Sequence, residues 1–275
     1  MRIRRYSSAS AFLGAAEPWL LRAEAENNVA LGIARRVRAE ADDASSIYWA
    51  TVERNGDVVG CAFRTPPHRV RITTLPPDAA ACLVEDVHEA CGRVTGVGGP
   101  VAEAERFAEE WALRFRAEWR VRMRLRLHVL TRVIFPEHPP DGELRPAAAE
   151  ELPLVLEWTR NFVRDVDVLE DPERLALRLL ASGRLYFWDD GGPRCMVAAA
   201  RDTPSGVCVN AVYTPREERR RGYATVAVAV LSRLLLADGY RFCCLYTDLS
   251  NATSNAIYRR IGYEARHDEV DIDFG

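Results

Sequence analysis

The sequence predicts an α/β protein built as two similar units, each a mixed, mostly antiparallel sheet flanked by helices. Three observations carry this expectation. Residues 143–275 alternate short β-type runs with amphipathic helical runs in the order β-α-α-β-β-β-α-β-α-β. Residues 1–140 repeat part of that order, which points to an internal duplication of architecture. Between them "FPEHPPDGEL", residues 135 to 144, is rich in proline and charge, as linkers are. The expected domains are therefore 1–140 and 141–275.

In the first unit "ENNVALGIARRVRAE" has helical periodicity. "IYWATVERNGDVVGCAFRT" reads as a hairpin around Asn55-Gly56, a type I′ turn signal. "HRVRITTL" is a third strand and "PDAAACLVEDVHEAC" a helix with Asp78 as its expected cap. "RVTGVGGP" is read as a strand and turn; it lacks lysine and a complete GxGxxG, and a relic of a phosphate loop is the competing reading. "VAEAERFAEEWALRF" is a helix with a charged outer face. "WRVRMRLRLHVLTRVI" gives one or two strands, whose alternating arginines are expected on a solvated face.

In the second unit a short strand at Leu144 precedes a helix, with Leu152, Leu156 and Phe162 expected near one face and Val155 and Trp158 on its flanks. A second helix has Asp171 as N-cap, Pro172 at its first position and Gly183 as C-cap. A three-strand meander follows, with turns at residues 189–193 and 202–206. Val226, Val230, Leu231, Leu234 and Leu235 then keep helical spacing until Asp238-Gly239. "YRFCCLYTDL" is a buried strand, "NATSNAIYRRIGY" a short helix ending at Gly262, and "YEARHDEVDIDF" a last strand.

Composition narrows the function classes. With 48% hydrophobic and 28% charged residues the chain can bury a core. A formal net charge of −3 gives no general attraction to nucleic acid or anionic membrane. All 37 basic residues are arginine, so lysine nucleophiles, Schiff bases and a P-loop lysine are excluded. Seven scattered cysteines without a C-x-x-C pair read as free thiols in a reducing cytoplasm. Neither a signal segment nor a membrane span is expected. The five histidines show no ligand spacing, so no metal is expected.

One stretch carries a chemical puzzle. In "PREERRRGYATVAVAV" three arginines, Arg219, Arg220 and Arg221, crowd against Gly222 just where a helix begins. A helix N-terminus already carries partial positive charge, so cations there call for an anion. The free N–H groups of a first helical turn bind phosphate. Gly222, without a Cβ, lets a diphosphate approach the backbone; Ala224 keeps the turn close-packed; the arginines add charge-assisted hydrogen bonds. An arginine-rich solvated turn before a buried helix is the plain alternative. One strand later Asn255 and Tyr258 fall near one helical face, where the phenol could donate a proton or simply fill the core.

"VYTPREERRRGYA" and "NATSNAIYRRIGYE", in this order and with a strand between, resemble the GNAT superfamily of acyl-CoA-dependent N-acyltransferases. Arg219-x-x-Gly222-x-Ala224 matches its pyrophosphate loop, with alanine in place of the more usual second glycine. The resemblance covers residues 143–275 and is weak over 1–140, which implies a tandem arrangement with a degenerate first unit. It implies a strand ending at Ala211, Val212 and Tyr213 that splays from its neighbour and bonds the pantetheine arm of acetyl-CoA. Arg219, Arg220, Arg221, Gly222, Tyr223 and Ala224 would then hold the pyrophosphate, Asn251 or Asn255 would contact the arm, and Tyr258 would protonate the leaving thiolate. A backbone N–H at the splay would polarise the thioester carbonyl.

The base is the gap in this scheme. Asp248 in "YTDLSN" is the first candidate, against an Asx turn; Glu157 is weaker, Asn210 cannot serve, Cys208 reads as core, and His267 could face the acceptor. The implied partner is a small-molecule or peptide amine; nucleic acid and membrane are not expected, and a homodimer stays open. The rival readings are a non-catalytic acyl-CoA sensor and a tandem transferase of aminoacyl or longer acyl groups.

Overall fold

Asn55 and Gly56 adopt φ of 54° and 93°, the left-handed pair that a two-residue hairpin demands. They join β2 (Tyr48–Arg54) to β3 (Asp57–Arg64). The computed structural model describes residues 1–40, 46–167 and 170–275. Ahead of the hairpin lie β1 (Arg2–Tyr6), α1 (Ala9–Leu20) and α2 (Asn28–Ala39). After it come β4 (Val70–Ile72), α3 (Ala80–Cys91), β5 (Gly96–Pro100), α4 (Val101–Phe115) and β6 (Trp119–Leu130). The second unit runs β7 (Glu143–Pro146), α5 (Leu152–Val166), α6 (Pro172–Ala181), β8 (Leu185–Asp189), β9 (Pro193–Asp202), β10 (Gly206–Tyr213), α7 (Tyr223–Ala237), β11 (Phe242–Asp248), α8 (Ala252–Arg260) and β12 (Glu264–Phe274).

Both units therefore follow the same order of elements. The sequence reading had no place for β1 and α1, and finding them completes the repeat. Ser8 starts α1 by accepting from the Ala11 N–H at 3.2 Å, while Pro18 inside the helix masks its periodicity.

Alternate residues of each strand feed opposite helix pairs. Trp49, Cys61 and Phe63 pack under α1 and α2, while Tyr48, Ala50 and Val52 pack against α3 and α4. Phe187, Met196 and Ala198 lie under α5 and α6, and Trp188, Cys195 and Val197 face α7 and α8. On α5 the buried stripe is Val155, Trp158 and Thr159. The expected face at Leu152, Leu156 and Phe162 is thus rotated: these three are half-buried on the flanks, and the i, i+3, i+4 set Val155, Trp158 and Thr159 faces the sheet.

The twelve strands of the described residues form one sheet in the order β1-β2-β3-β4-β5-β12-β6-β11-β10-β9-β8-β7. The last strand of each unit is exchanged. β12 pairs antiparallel with β5 of the first unit, and β6 pairs antiparallel with β11 of the second. β6 and β12 also pair with each other, at Glu269↔Leu125 for example. The arginines of β6 lie on a partly solvated face, as expected, and pair there with carboxylates: Arg126 meets Asp268 at 2.7 Å, Arg124 meets Glu105 at 3.0 Å and Arg122 meets Asp167 at 2.8 Å.

The strand expected in the glycine-rich stretch is present, but its glycines lie in the strand itself and form neither a turn nor a phosphate loop. It is β5, and its missing side chains leave a path for Arg71 of β4, and for Arg69 just before that strand, to reach β12. Arg71 bonds Asp271 at 2.7 Å and also Glu269, and Arg69 Nε bonds Asp273 at 2.9 Å. Asp78 does not cap α3; it pairs with Arg54 at 2.6 Å from a 3-10 turn that precedes the helix.

Candidate active site

The strands β10 and β11 run parallel and pair at Gly206↔Phe242, Val207↔Cys243 and Cys208↔Cys244, and then part. Beyond that point β11 stays bonded to β6, from Leu245↔His128 to Asp248↔Leu125. β10 stays bonded to β9, at Val209↔Ala199, Asn210↔Ala198 and Tyr213↔Met196. The register slips between Asn210 and Tyr213, where Ala211 takes φ 51°, a bulge that turns the strand away from its neighbour. The facing backbone edges of residues 209–213 and 245–248 are left open, ready to accept an added strand-like chain. The Ala211 N–H donates to Asn210 Oδ1 at 2.8 Å. The Ala211 and Tyr213 side chains are buried among the residues under α5 and α6, with Tyr213 tilted against Trp158; Val212 is half-buried. These residues therefore present backbone to the gap.

The open end leads into the arginine loop. Arg220 (φ 68°) and Gly222 (φ 87°) are both left-handed, and Gly222 is the N-cap of α7. Among the described residues no side chain caps that helix, which leaves the N–H groups of its first turn, starting at Tyr223 and Ala224, without a capping partner. Residues 219–222 are exposed. Arg219 folds back: Nε donates to the Thr214 carbonyl at 3.0 Å and Nη2 to Asp165 at 2.7 Å, and this pairing holds the Asp165 carboxyl below its ordinary range. Arg221 pairs with Glu218 at 3.0 Å. Among the described residues Arg220 has no ion pair. The charge puzzle of the sequence is thus half answered by the protein's own carboxylates. Tyr223 turns its side chain into the core and donates its hydroxyl to Asp190 at 2.7 Å.

The following helix closes the site. Tyr258 on α8 is 8% exposed and packs with Tyr263 at 6.0 Å. Its hydroxyl has no hydrogen-bond partner among the described residues, and burial pushes the phenol well above its ordinary range, so it stays protonated. Asn251 Oδ1 caps α8 by accepting from the Ser254 N–H at 3.0 Å. Asn255 is engaged throughout: Nδ2 donates to the Asp248 and Asn251 carbonyls at 2.9 and 2.8 Å, and Oδ1 accepts from Thr247 Oγ1 at 2.7 Å. Asp248 accepts from the Ser250 N–H at 2.8 Å and the Ser250 hydroxyl at 2.7 Å. Glu157 is exposed on α5.

Two groups escaped sequence reasoning. His128 on β6 lies 3.0 Å from Thr247 Oγ1. Thr247 spends its proton on Asn255, so it must accept from His128 Nε2–H, which fixes the neutral tautomer. Burial lowers the His128 pKa in the same sense. Farther along the α1–α2 face of the sheet, Tyr246 accepts from Asn28 Nδ2 at 3.0 Å and donates to Glu269 at 2.9 Å, and His267 lies 3.2 Å from Glu269. His267 and Glu269 line a cavity of about 20 Å³ with Glu26, Arg71 and Thr73. The distance in sequence between Asn28 and Glu269 hid this cluster; only the strand exchange brings the two together.

Among the described residues the first unit offers no equivalent gap. β4 is three residues long and pairs parallel with β5 at Val70↔Val97 and Arg71↔Gly98. A Cβ on Gly99 would run into the Ile72 carbonyl, so the strands remain close where the second unit opens. The chain then continues through Leu75-Pro76-Pro77, where proline removes the N–H groups a phosphate would need. Among the described residues no group of three or more His, Cys, Asp or Glu side chains could hold a metal ion, and no helix is long and apolar enough to cross a membrane.

Residues 191–271 match the family model described as FR47-like protein. The chain is similar in structure to a Drosophila protein (TM-score 0.69, 16% identity, 99% of this chain and 98% of that one covered). It is similar to a GCN5-related N-acetyltransferase from Sphaerobacter thermophilus (0.64, 16%, 99% and 95%) and to a tandem GNAT protein from the clavulanic acid biosynthesis pathway (0.52, 13%, 83% and 82%). No curated protein matches the sequence. The chain has the GNAT fold in tandem arrangement, its two copies joined through exchanged strands in one sheet.

Proposed function

We propose that residues 141–275 form an N-acyltransferase unit that binds acyl-coenzyme A and passes the acyl group, in the simplest case acetyl, to a primary amine. The observation that carries this reading is the parted end of β10 and β11 opening onto the uncapped first turn of α7. The pantetheine arm is a chain of amides and fits an open strand edge. A diphosphate fits unclaimed N–H groups beside a glycine, with Arg220 free to reach it. Ala211, Val212 and Tyr213 would serve the arm through their backbone, and Arg219 to Ala224 the diphosphate. Asn251 keeps Nδ2 for the arm, whereas Asn255 acts by holding the turn.

The amine nitrogen attacks the thioester carbonyl, and the tetrahedral oxyanion is met by a backbone N–H at the bulge. The C–S bond then breaks, and Tyr258 supplies the proton to the departing sulfur. The amine must also lose a proton. Asp248 ends β11 beside the gap, and two bonds from Ser250 do not exhaust the lone pairs of a carboxylate. We assign it the base role. Residues 1–140 would cover the acceptor side, since Gly32 of α2 packs directly on Arg201 of β9. The seven unbridged cysteines fit a reducing compartment such as the cytoplasm.

A second reading, a non-catalytic acyl-CoA-binding module, is favoured by one observation: Asp248 and Asn255 are both tied into the β11–α8 turn. A thiol-release screen of acetyl-CoA against amines, amino acids, peptides and aminoglycosides separates the two. A thermal shift with coenzyme A tests the shared first step, because ligand at about 100 times its Kd stabilises by about 2.7 kcal/mol. Thiol release with any amine supports the transferase; a shift without release supports the module; neither overturns both.

A further inference from the structure

We propose that Cys208 and Cys244 form an oxidation site, a buried thiol pair that a water-sized peroxide converts to a disulfide across β10 and β11. The two residues are direct partners at the last paired position before the strands part. Neighbouring strands lie about 4.8 Å apart, within the Cα separations a disulfide spans. Both side chains sit in one small cluster with Ala25, Leu127 and Val129. The coenzyme reading is not needed for any of this.

What sets the pair apart is Arg201. Its Nη2 donates to Cys208 Sγ at 2.8 Å. Among the described residues this guanidinium has no carboxylate partner, and its Nε is buried without an acceptor. A half-buried cation in such a place favours an anion beside it; it also lies over the Tyr246 ring at 6.0 Å, but of the ionisable groups around it the Cys208 thiol is the one it hydrogen-bonds. The neighbouring Cys244 thiol, together with Arg201, lowers the Cys208 pKa against the opposing effect of burial. Cys244 correspondingly keeps its proton. The other five thiols are all pushed up by burial, including the half-buried Cys82 and Cys91.

The chemistry closes with hydrogen peroxide as the sole oxidant. The Cys208 thiolate attacks one peroxide oxygen; an S–O bond forms, the O–O bond breaks, and the departing hydroxide takes up a proton to become water. The Cys244 sulfur then attacks the Cys208 sulfur. The S–S bond forms, the S–O bond breaks, and hydroxide leaves with the Cys244 proton as a second water. Two thiols are oxidised by two electrons and one peroxide is reduced. Both residues are 1% exposed, so a bulky disulfide reagent cannot substitute.

The test is made on the full chain at neutral pH. One equivalent of hydrogen peroxide is added, remaining thiols are alkylated under denaturing conditions, and the digest is mapped by mass spectrometry. The expected product is a Cys208–Cys244 cross-linked peptide, reversed by dithiothreitol, with Cys82 and Cys91 still alkylated. A bulky aromatic disulfide should show the opposite order and modify Cys82 and Cys91 first. Arg201→Met should slow the peroxide reaction about tenfold or more, through loss of thiolate. Oxidation of Cys82 or Cys91 ahead of the pair, or recovery of Cys208 and Cys244 as free thiols, overturns the proposal. The wild-type map decides this even if a variant fails to fold.

Discussion

Arg71 reaches over strand β5 to Asp271, 2.7 Å away, because Gly98 leaves nothing between them. A Cβ on Gly98 would collide with both the guanidinium and the carboxylate. This relationship closes the first unit where the second opens. Gly98→Ala should destabilise the protein by about 1–3 kcal/mol, the usual cost of overpacking. The midpoint of urea unfolding should fall with little change in slope, and coenzyme A affinity should be unaffected. An unchanged midpoint would mean that the charges re-route freely.

Tyr258 offers a clean substitution, since its hydroxyl bonds no described residue and its loss leaves no partner stranded. Tyr258→Phe should cut thiol release by about 10² or more, while the Kd for coenzyme A stays the same. Equal rates for the two proteins would remove Tyr258 from the chemistry.

Asp248 can be divided between its two possible roles. Asp248→Asn keeps an acceptor for Ser250 but loses basicity. Thiol release should fall on the order of 100-fold with thermal stability nearly intact. If release persists in Asp248→Asn while Asp248→Ala is destabilised, the residue only holds the turn.

His267 and Glu269 should give stability a pH signature. Burial acts to lower the His267 pKa, but the bond and charge of Glu269, with Glu26 and Asp268, outweigh it and raise it. Burial acts to raise that of Glu269, and Arg71 and His267 outweigh it and lower it. A raised histidine stabilises fully below its unfolded value, about 6.5, and that contribution fades as pH rises through the folded value. A depressed carboxyl contributes above its unfolded value, about 4.3, and fades as pH falls through its folded one. Stability from this pair should therefore peak between the two. His267→Gln should flatten the decline of Tm above about pH 6.5; an unaltered profile would contradict it.

Much of this was legible in the residues. The order of elements in the second unit, the Asp171 cap with its 2.7 Å bond to the Arg174 N–H, and the Asn55-Gly56 turn followed from local rules. The arginine loop and α7 did too, because glycine, charge and apolar periodicity change within a few residues. The exchange of β6 and β12 was not legible, since strand partners are chosen by contacts far apart in sequence. The glycines of β5 were misread for the same reason: their purpose lies in the side chains of β4 and β12. The Cys208–Cys244 pair and the His267 cluster exist only once those pairings are made.

The central claim is that one unit of the two opens for the coenzyme. Calorimetric titration with coenzyme A tests it directly, beside the same titration of Gly222→Ala. At φ 87° alanine is strained by about 1–2 kcal/mol, and its methyl group crowds the backbone a diphosphate must touch. The prediction is one coenzyme A per chain, with affinity reduced about tenfold or more in the variant. No binding, two molecules per chain, or an affinity indifferent to Gly222→Ala would contradict it.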